Sequence, residues 1–270
     1  MAVDPGARPA DNAAVRSGRA LAVLVLLLLV ACQTVPITGR RSLSLLPESN
    51  ELQMGLTAYQ EILKKSTVST DRTVIDQVTR VGRRIATATG RDDFEWEFTV
   101  IEDKQANAFC LPGGKVAVYT GILPITRDDD GLAAVLGHEV AHAVARHGGE
   151  RVSQQLVIQT GLAATQVALS RGDPVVTQSV TALLGAGATV GLLLPWGRGQ
   201  ESEADYLGMI YMAKAGYHPS AARDLWVRMG EASRGGSRPP EFLSTHPSPE
   251  TRIKQIDGWL PEAMTHYRPR

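Results

Sequence analysis

Cysteine is the first thing this chain has little of. Its 270 residues hold two cysteines, Cys32 and Cys110, and thiols that far apart match no zinc-finger spacing. Charge of one sign is missing too. Lys plus Arg and Asp plus Glu number 28 each, so nothing in the balance points to nucleic acid and there is no acidic tail. Long apolar runs are scarce. The run at 20–30 is shorter than the about 20 residues a bilayer span needs, and Thr177, Gln178, Ser179 and Thr181 interrupt the one at 175–194. That later segment is therefore expected to be a buried helix or a mobile lid, with membrane contact as the alternative. What is present is enough apolar material, 43%, to build a real core and exclude general disorder. We find no internal repeat and no second domain boundary.

Arg16 and Arg19 precede "ALAVLVLLLLVAC", the layout of a signal-peptide basic region and apolar core. "LVAC" resembles a bacterial lipobox, which implies cleavage before Cys32, lipid on that cysteine, and membrane affinity from the acyl chains. Gln33 in the next position implies an outer-membrane destination. Residues 1–31 then read as a signal peptide, 32–50 as a lipidated start and a tether that becomes a short ordered arm, 51–262 as the folded domain and 263–270 as a tail. With Cys32 modified, Cys110 is left as a lone thiol.

The domain reads as α+β and mostly helical. Ser49 or Asn50 can cap a first helix carrying Leu52, Leu56, Tyr59, Ile62 and Leu63 on one face. A second helix over roughly 71–89 carries Val74, Val78, Val81 and Ile85. "FEWEFTVIED" (94–103) alternates as a half-buried strand does. A short extended piece, a Pro-Gly-Gly turn and a strand over 115–120 follow. One of Asp128, Asp129 or Asp130 caps an amphipathic helix that stops near Gly148 and Gly149. Further helices are expected over 151–169, near 200–214, after Pro219, and from Pro249 with Ser248 as its cap.

"GHEVAHAVARHGG" (137–149) holds three of the six histidines. On a helix His138 and His142 stand four apart and face one side, where neutral imidazoles can each offer zinc a nitrogen at about 2.0–2.1 Å. Glu139 is turned aside yet can reach a water on that ion, which is the geometric sense of His-Glu-x-x-His. A catalytic zinc needs a third protein ligand. His147, His218, His246, His266 and the acids of "ESEAD" (201–205) are the candidates. His147 lies roughly 140° around the helix from His142 and cannot share the site without a break. Glu201 and Asp205 share a helical face while Glu203 turns away, so one could bind metal and the other orient a histidine.

In this order, "GHEVAHAVARHGG", "ESEAD" and "STHPSPETRI", with "NAFCLPGGKVAVYTGIL" before them, closely resemble the HtpX-like metallopeptidases, relatives of the type I CAAX prenyl proteases. The nearest subgroup is that of the lipoprotein proteases LoiP and BepA and the mitochondrial Oma proteases. The resemblance covers most of residues 36–260 and implies a gluzincin-type α+β domain with a small sheet. It implies one zinc ion per chain on His138, His142 and Glu201, with Glu139 as general base. Asp205 supports a ligand histidine, His246 enters the cleft to stabilise the transition state, and Arg252 sits near the same site. Asn107, Ala108, Phe109, Cys110, Leu111, Pro112, Gly113, Gly114, Val116, Val118 and Tyr119 correspond to the edge segment that receives substrate.

The function so implied is a zinc endopeptidase that cleaves unfolded or damaged cell-envelope proteins, lipid-anchored at the inner face of a bacterial outer membrane and facing the periplasm. Its partners would be extended polypeptides, the membrane through Cys32, and further copies of itself, with no nucleic acid. The helical-repeat extension of BepA-like proteins is not expected here. The rival reading is a silent lipoprotein that only binds unfolded chains.

Overall fold

In the computed structural model the described residues are 32–170, 174–235, 242–243, 246 and 249–270. The expected signal peptide at 1–31 and the expected cap Ser248 lie outside them. Among the described residues the chain is mostly helical with two small sheets, in keeping with the α+β expectation.

Strands β1 (Cys32–Thr34) and β2 (Arg41–Leu43) form an antiparallel hairpin. The hairpin is packed against the domain: Val35 is buried in the core and Arg40 reaches Glu150 and Glu203. Helix α1 (Glu48–Lys64) starts behind Pro47 with no side-chain cap, so neither Ser49 nor Asn50 plays that part. Helix α2 (Arg72–Thr89) is capped by Asp71, whose carboxylate accepts from the amides of Thr73 and Val74, and is closed by Gly90 at φ 70°. Val78, Val81 and Ile85 are fully buried on its inner face.

A three-stranded sheet follows in the order β3 (Glu97–Ile101), β5 (Lys115–Tyr119), β4 (Ala108–Leu111). β5 is central, parallel to β3 and antiparallel to β4. The turn between β4 and β5 places Gly113 and Gly114 at φ 85° and 81°, and a side chain at Gly114 would strike the Trp96 ring at 2.7 Å. That leaves β4 as an outer strand of this sheet.

After a 3₁₀ turn and the short α3 (Leu123–Thr126), α4 (Asp129–Val144) starts from Asp128, whose carboxylate accepts from Gly131 N at 2.8 Å. Every residue from Gly131 to Val144 is buried, so α4 is a central core helix rather than an amphipathic one. Helix α5 (His147–Leu169) and helix α6 (Pro174–Ala188) follow, then a π turn at Thr189–Leu193, α7 (Leu194–Lys214), α8 (Ser220–Gly235) and α9 (Pro249–His266).

Helices α4 and α7 cross where Gly137 meets Gly208. A Cβ on either glycine would stand 2.8 Å from the other helix's backbone, so only glycine permits this approach. The expected tail at 263–270 is packed instead, with Ala263 buried and Arg270 bonded to Asp129 and Asp130.

Candidate metal centre and active site

The close crossing of α4 and α7 brings the two halves of the sequence pattern together. α4 presents His138, Glu139 and His142, and α7 presents Glu201 and Asp205. His246 arrives from the segment ahead of α9. The ligand atoms of His138, His142, Glu201 and His246 all lie within 4.8 Å of one another.

The donor set fits zinc by chemistry and by spacing. Ligands about 2.0–2.2 Å from a tetrahedral ion stand about 3.3 Å from each other. His138 Nε2 is 3.1 Å from His142 Nε2, and Glu201 is 3.4 Å from each of these nitrogens, one carboxylate oxygen to each. Two imidazole nitrogens pointing at one spot beside a buried carboxylate are what a cation would hold together. His246 belongs to the same cluster, with Nδ1 2.5 Å from Glu201 Oε2 and 3.1 Å from His138 Nε2. Burial would raise the Glu201 carboxyl, but the three histidines around it hold it well below the usual carboxylate range.

Each histidine of the pair is steered from its far nitrogen. His138 Nδ1 lies 3.0 Å from Asp205 Oδ1. Asp205 in turn accepts from Arg252 Nε and Nη2, both at 2.5 Å, and the Arg252 guanidinium stacks 3.6 Å from the Trp226 ring centroid. Burial works to raise the Asp205 carboxyl, and Arg252 with His138 overcomes it and lowers it.

His142 is steered by a residue the spacing excluded from the site. The helix does break after α4: Arg146 takes a left-handed φ of 56°, and the chain restarts as α5 at His147. The turn swings His147 Nδ1 to 2.8 Å from His142 Nδ1, while its Nε2 lies 3.0 Å from Glu203 Oε2. With His147 Nε2–H donating to Glu203, its Nδ1 accepts from His142, and His142 Nε2 is left with its lone pair toward the metal site. Glu203 thus turns away from Glu201 only to anchor the other histidine. Thr38 and Arg40 of the β1–β2 hairpin donate to it at 2.6 and 2.7 Å. Burial would raise Glu203, yet His147, Thr38 and Arg40 lower it to about 2. The αL break at Arg146 has no glycine to announce it, so only the acid at 203 and the histidine at 147 were visible, unpaired, in the sequence.

Glu139 is buried beside the cluster. Its Oε1 has no hydrogen-bond partner, although His246 Nε2 is 3.3 Å away without hydrogen-bond alignment. Burial is the main cause that lifts this carboxyl to about 7, with the charge of Glu201 adding to it against His246, Arg252 and Arg151. An unsatisfied, proton-hungry carboxylate beside a metal site is a general-base arrangement.

A cleft of about 280 Å³ opens over Glu139, His142 and His246, and its other wall is 107–112. Asn107, Ala108, Phe109, Cys110, Leu111 and Pro112 therefore do face the site. Val116 and Val118 do not: they sit fully buried on the central strand β5, paired on both sides. Gly113 and Gly114 form the turn, and Tyr119 ends the central strand. The alternation of a hairpin cannot say which of its strands is the edge. Cys110 is buried, in no disulfide, and burial pushes its thiol pKa up, helped by the Glu139 charge. Cys32 is exposed at the start of β1. The other candidate histidines, His218 and His266, lie outside the ligand cluster.

Comparison with known proteins agrees with this geometry. The model of peptidase family M48 matches residues 74–260. The mitochondrial metalloendopeptidase OMA1 of Schizosaccharomyces pombe is 42% identical over 236 residues, 85% of this chain and 67% of that protein. Its Saccharomyces cerevisiae counterpart is 40% identical over 189 residues, 65% of this chain and 50% of that protein. The beta-barrel assembly-enhancing protease of Escherichia coli is 26% identical over 228 residues, 83% of this chain and 46% of that protein. The chain thus spans about half to two thirds of the length of these relatives. Of the expected subgroup, the OMA1 and BepA relatives are matched, while the finer HtpX-like and LoiP placement gives way to the family itself. The relatives named as mitochondrial OMA1 also overturn the expected address at a bacterial outer membrane, because a lipobox-like tetrapeptide is too short to outweigh similarity spread over the whole domain.

Proposed function

The chain belongs to peptidase family M48, and from that premise we propose that it is a zinc endopeptidase that cuts extended or unfolded polypeptide laid along β4. The observation that carries this reading is the cleft: an outer sheet strand forms one wall and the buried Glu139, His142 and His246 form the other. A strand edge recognises backbone amides and carbonyls, so it selects extended segments over folded ones. Removal of damaged proteins is the role that such selection suits.

His138, His142 and Glu201 would hold the ion. Zinc bound there supplies Lewis-acid polarisation of the scissile carbonyl and a lowered pKa for its water. Glu139, kept unsatisfied by burial, takes the proton of the attacking water and passes it to the leaving amine. Asp205 and His147 keep both ligand imidazoles in the tautomer that leaves Nε2 free. His246 can donate to the developing oxyanion. The 2.5 Å approach of its Nδ1 to Glu201 favours a second part for it, as a further ligand. Metal content of His246→Ala separates the two: unchanged zinc with slowed turnover makes His246 a donor, whereas lost zinc makes it a ligand.

The reading is tested with a matched pair of unfolded peptides, one carrying backbone N-methyl groups at alternate positions around the cut. Loss of cleavage in the methylated peptide, with the unmodified one cut, supports strand addition on β4. Equal cleavage of both would refute it.

A further inference from the structure

Between Arg151 and Arg198 the only charged residues are Arg171 and Asp173. The uncharged stretches on either side of that pair, 152–170 and 174–197, build α5, α6, the π turn and the start of α7. α5 and α6 lie against each other: Thr177 Oγ1 donates to Leu169 O at 3.0 Å, and a Cβ at Gly185 would touch Leu162 at 3.6 Å. Their outer faces are apolar and bare, with Leu183 75% and Val167 74% exposed, and Leu156, Leu184, Leu192 and Leu194 exposed as well.

The apolar helix starting at Pro174 is long enough and apolar enough to cross a membrane, and none of its most apolar window is buried inside the protein. The two ordinary explanations of such a helix both fail. A core helix would be buried, and a signal sequence would lie at the N-terminus. A bare apolar surface of this extent on a folded chain marks an interaction site.

Length and charge identify what covers it. At 1.5 Å per residue the two stretches span about 28 and about 36 Å, against about 30 Å for the hydrocarbon layer of a bilayer. Trp196, 42% exposed, stands at the base of the hairpin, followed by the exposed Arg198, with the half-exposed Arg151 at the base of the other helix. An amphipathic aromatic ring next to arginines is the composition that settles at an anionic headgroup layer. A protein groove would not need the whole circumference of two helices free of charge.

We propose that the α5–α6 hairpin and its continuation into α7 insert into the hydrocarbon layer of a lipid bilayer, with Trp196, Arg198 and Arg151 at the headgroups. The hairpin is rooted in the active site itself. α5 begins at His147 and α7 carries Glu201, so insertion holds the cleft next to the membrane surface. The substrates then favoured are extended segments tethered close to a bilayer. This last consequence rests on the endopeptidase reading, whereas the insertion does not.

The experiment uses the full chain with vesicles of phosphatidylcholine and phosphatidylglycerol. Flotation by itself does not discriminate, because residues 20–30 are apolar too. A Leu183→Trp variant does. The emission it adds over wild type should be lost with vesicles whose acyl chains are brominated, and should be shielded from iodide in the aqueous phase. Added emission that iodide reaches in vesicle-bound protein would overturn insertion. So would shielding that grows with protein concentration in the absence of vesicles, which would mean a second copy covers the hairpin. For the substrate class, one peptide is compared free and lipid-anchored to the vesicles. Faster cleavage when anchored, lost in Leu183→Asp/Leu192→Asp while the free peptide is still cut, supports it. No advantage for the anchored peptide, with the new tryptophan embedded, would overturn the substrate class alone.

Discussion

Asp205→Ala isolates the group that ties the metal site to the core. Arg252 is 3% exposed, and two of its nitrogens lie 2.5 Å from Asp205. Its other acidic neighbour, Glu201 at 3.2 Å from Nη1, is shared with three histidines. Removal of Asp205 therefore strands a guanidinium charge in the core, and breaking a buried pair on one side costs about 3–5 kcal/mol. Against a typical total stability of about 5–15 kcal/mol, that is a large share. The expected result in equilibrium denaturation of metal-free protein is a loss in that range. Adding Arg252→Met removes the stranded charge and keeps an apolar stem near Trp226, so the double variant should recover most of the loss. Zinc affinity follows a different rule, because His138 loses its Nδ1 acceptor in both variants. Competition with a chelator should show binding weakened about 10–100-fold, with no recovery on adding Arg252→Met. A single-variant loss under about 1 kcal/mol, or a double variant less stable than the single one, would refute the account of the buried pair. Unchanged zinc affinity would refute the steering of His138.

Glu139→Gln should keep zinc content and melting behaviour while peptide cleavage falls by at least about 10²-fold, since the amide cannot accept the water's proton. Turnover near wild type would assign the base elsewhere. Glu201→Ala should lose zinc on metal analysis of the purified protein, and full retention would remove Glu201 from the ligands. His147→Ala should weaken zinc binding about 10–100-fold through His142, and an unchanged chelator titration would reduce His147 to packing. In a Cys32→Ser background, Cys110 should resist alkylation in the native state near neutral pH, because burial raises its thiol pKa and keeps it protonated. Reaction there should appear on adding denaturant, and rapid native labelling would contradict the buried placement.

The four-residue spacing of His138 and His142, the shared face of Glu201 and Asp205, a cap among Asp128, Asp129 and Asp130, and the turn at Gly113 could be read from the chain. Each rests on local geometry, helical periodicity or a backbone preference, which a short window carries in full. The spacing keeps His147 out of the ligand cluster, as the structure does, but its contact with His142 was not legible, for the opposite reason. Its place depends on a left-handed turn at Arg146, a conformation that costs an arginine energy and is held only because the surroundings fix it: Arg146 bonds to Glu51 and the carbonyl of Leu46, groups about a hundred residues upstream. The partners that pack the arm at 32–50 and the end at 263–270 were not legible either. Polar, irregular composition describes a segment's own preferences and not the partner that orders it.

The sequence by itself determined the donor set: a histidine pair, a carboxylate between them, and acids at helical spacing, all set by local helix geometry. The tertiary structure alone decided that β4 and not β5 is the outer strand, that Glu203 reaches His142 through His147, and that the apolar stretch after Pro174 stands bare rather than buried. Strand order, a close glycine crossing and the exposure of a helix are relations between segments distant in the chain. Hydrophobicity states what a segment will accept as neighbours, and only the packed fold shows which neighbours it has been given.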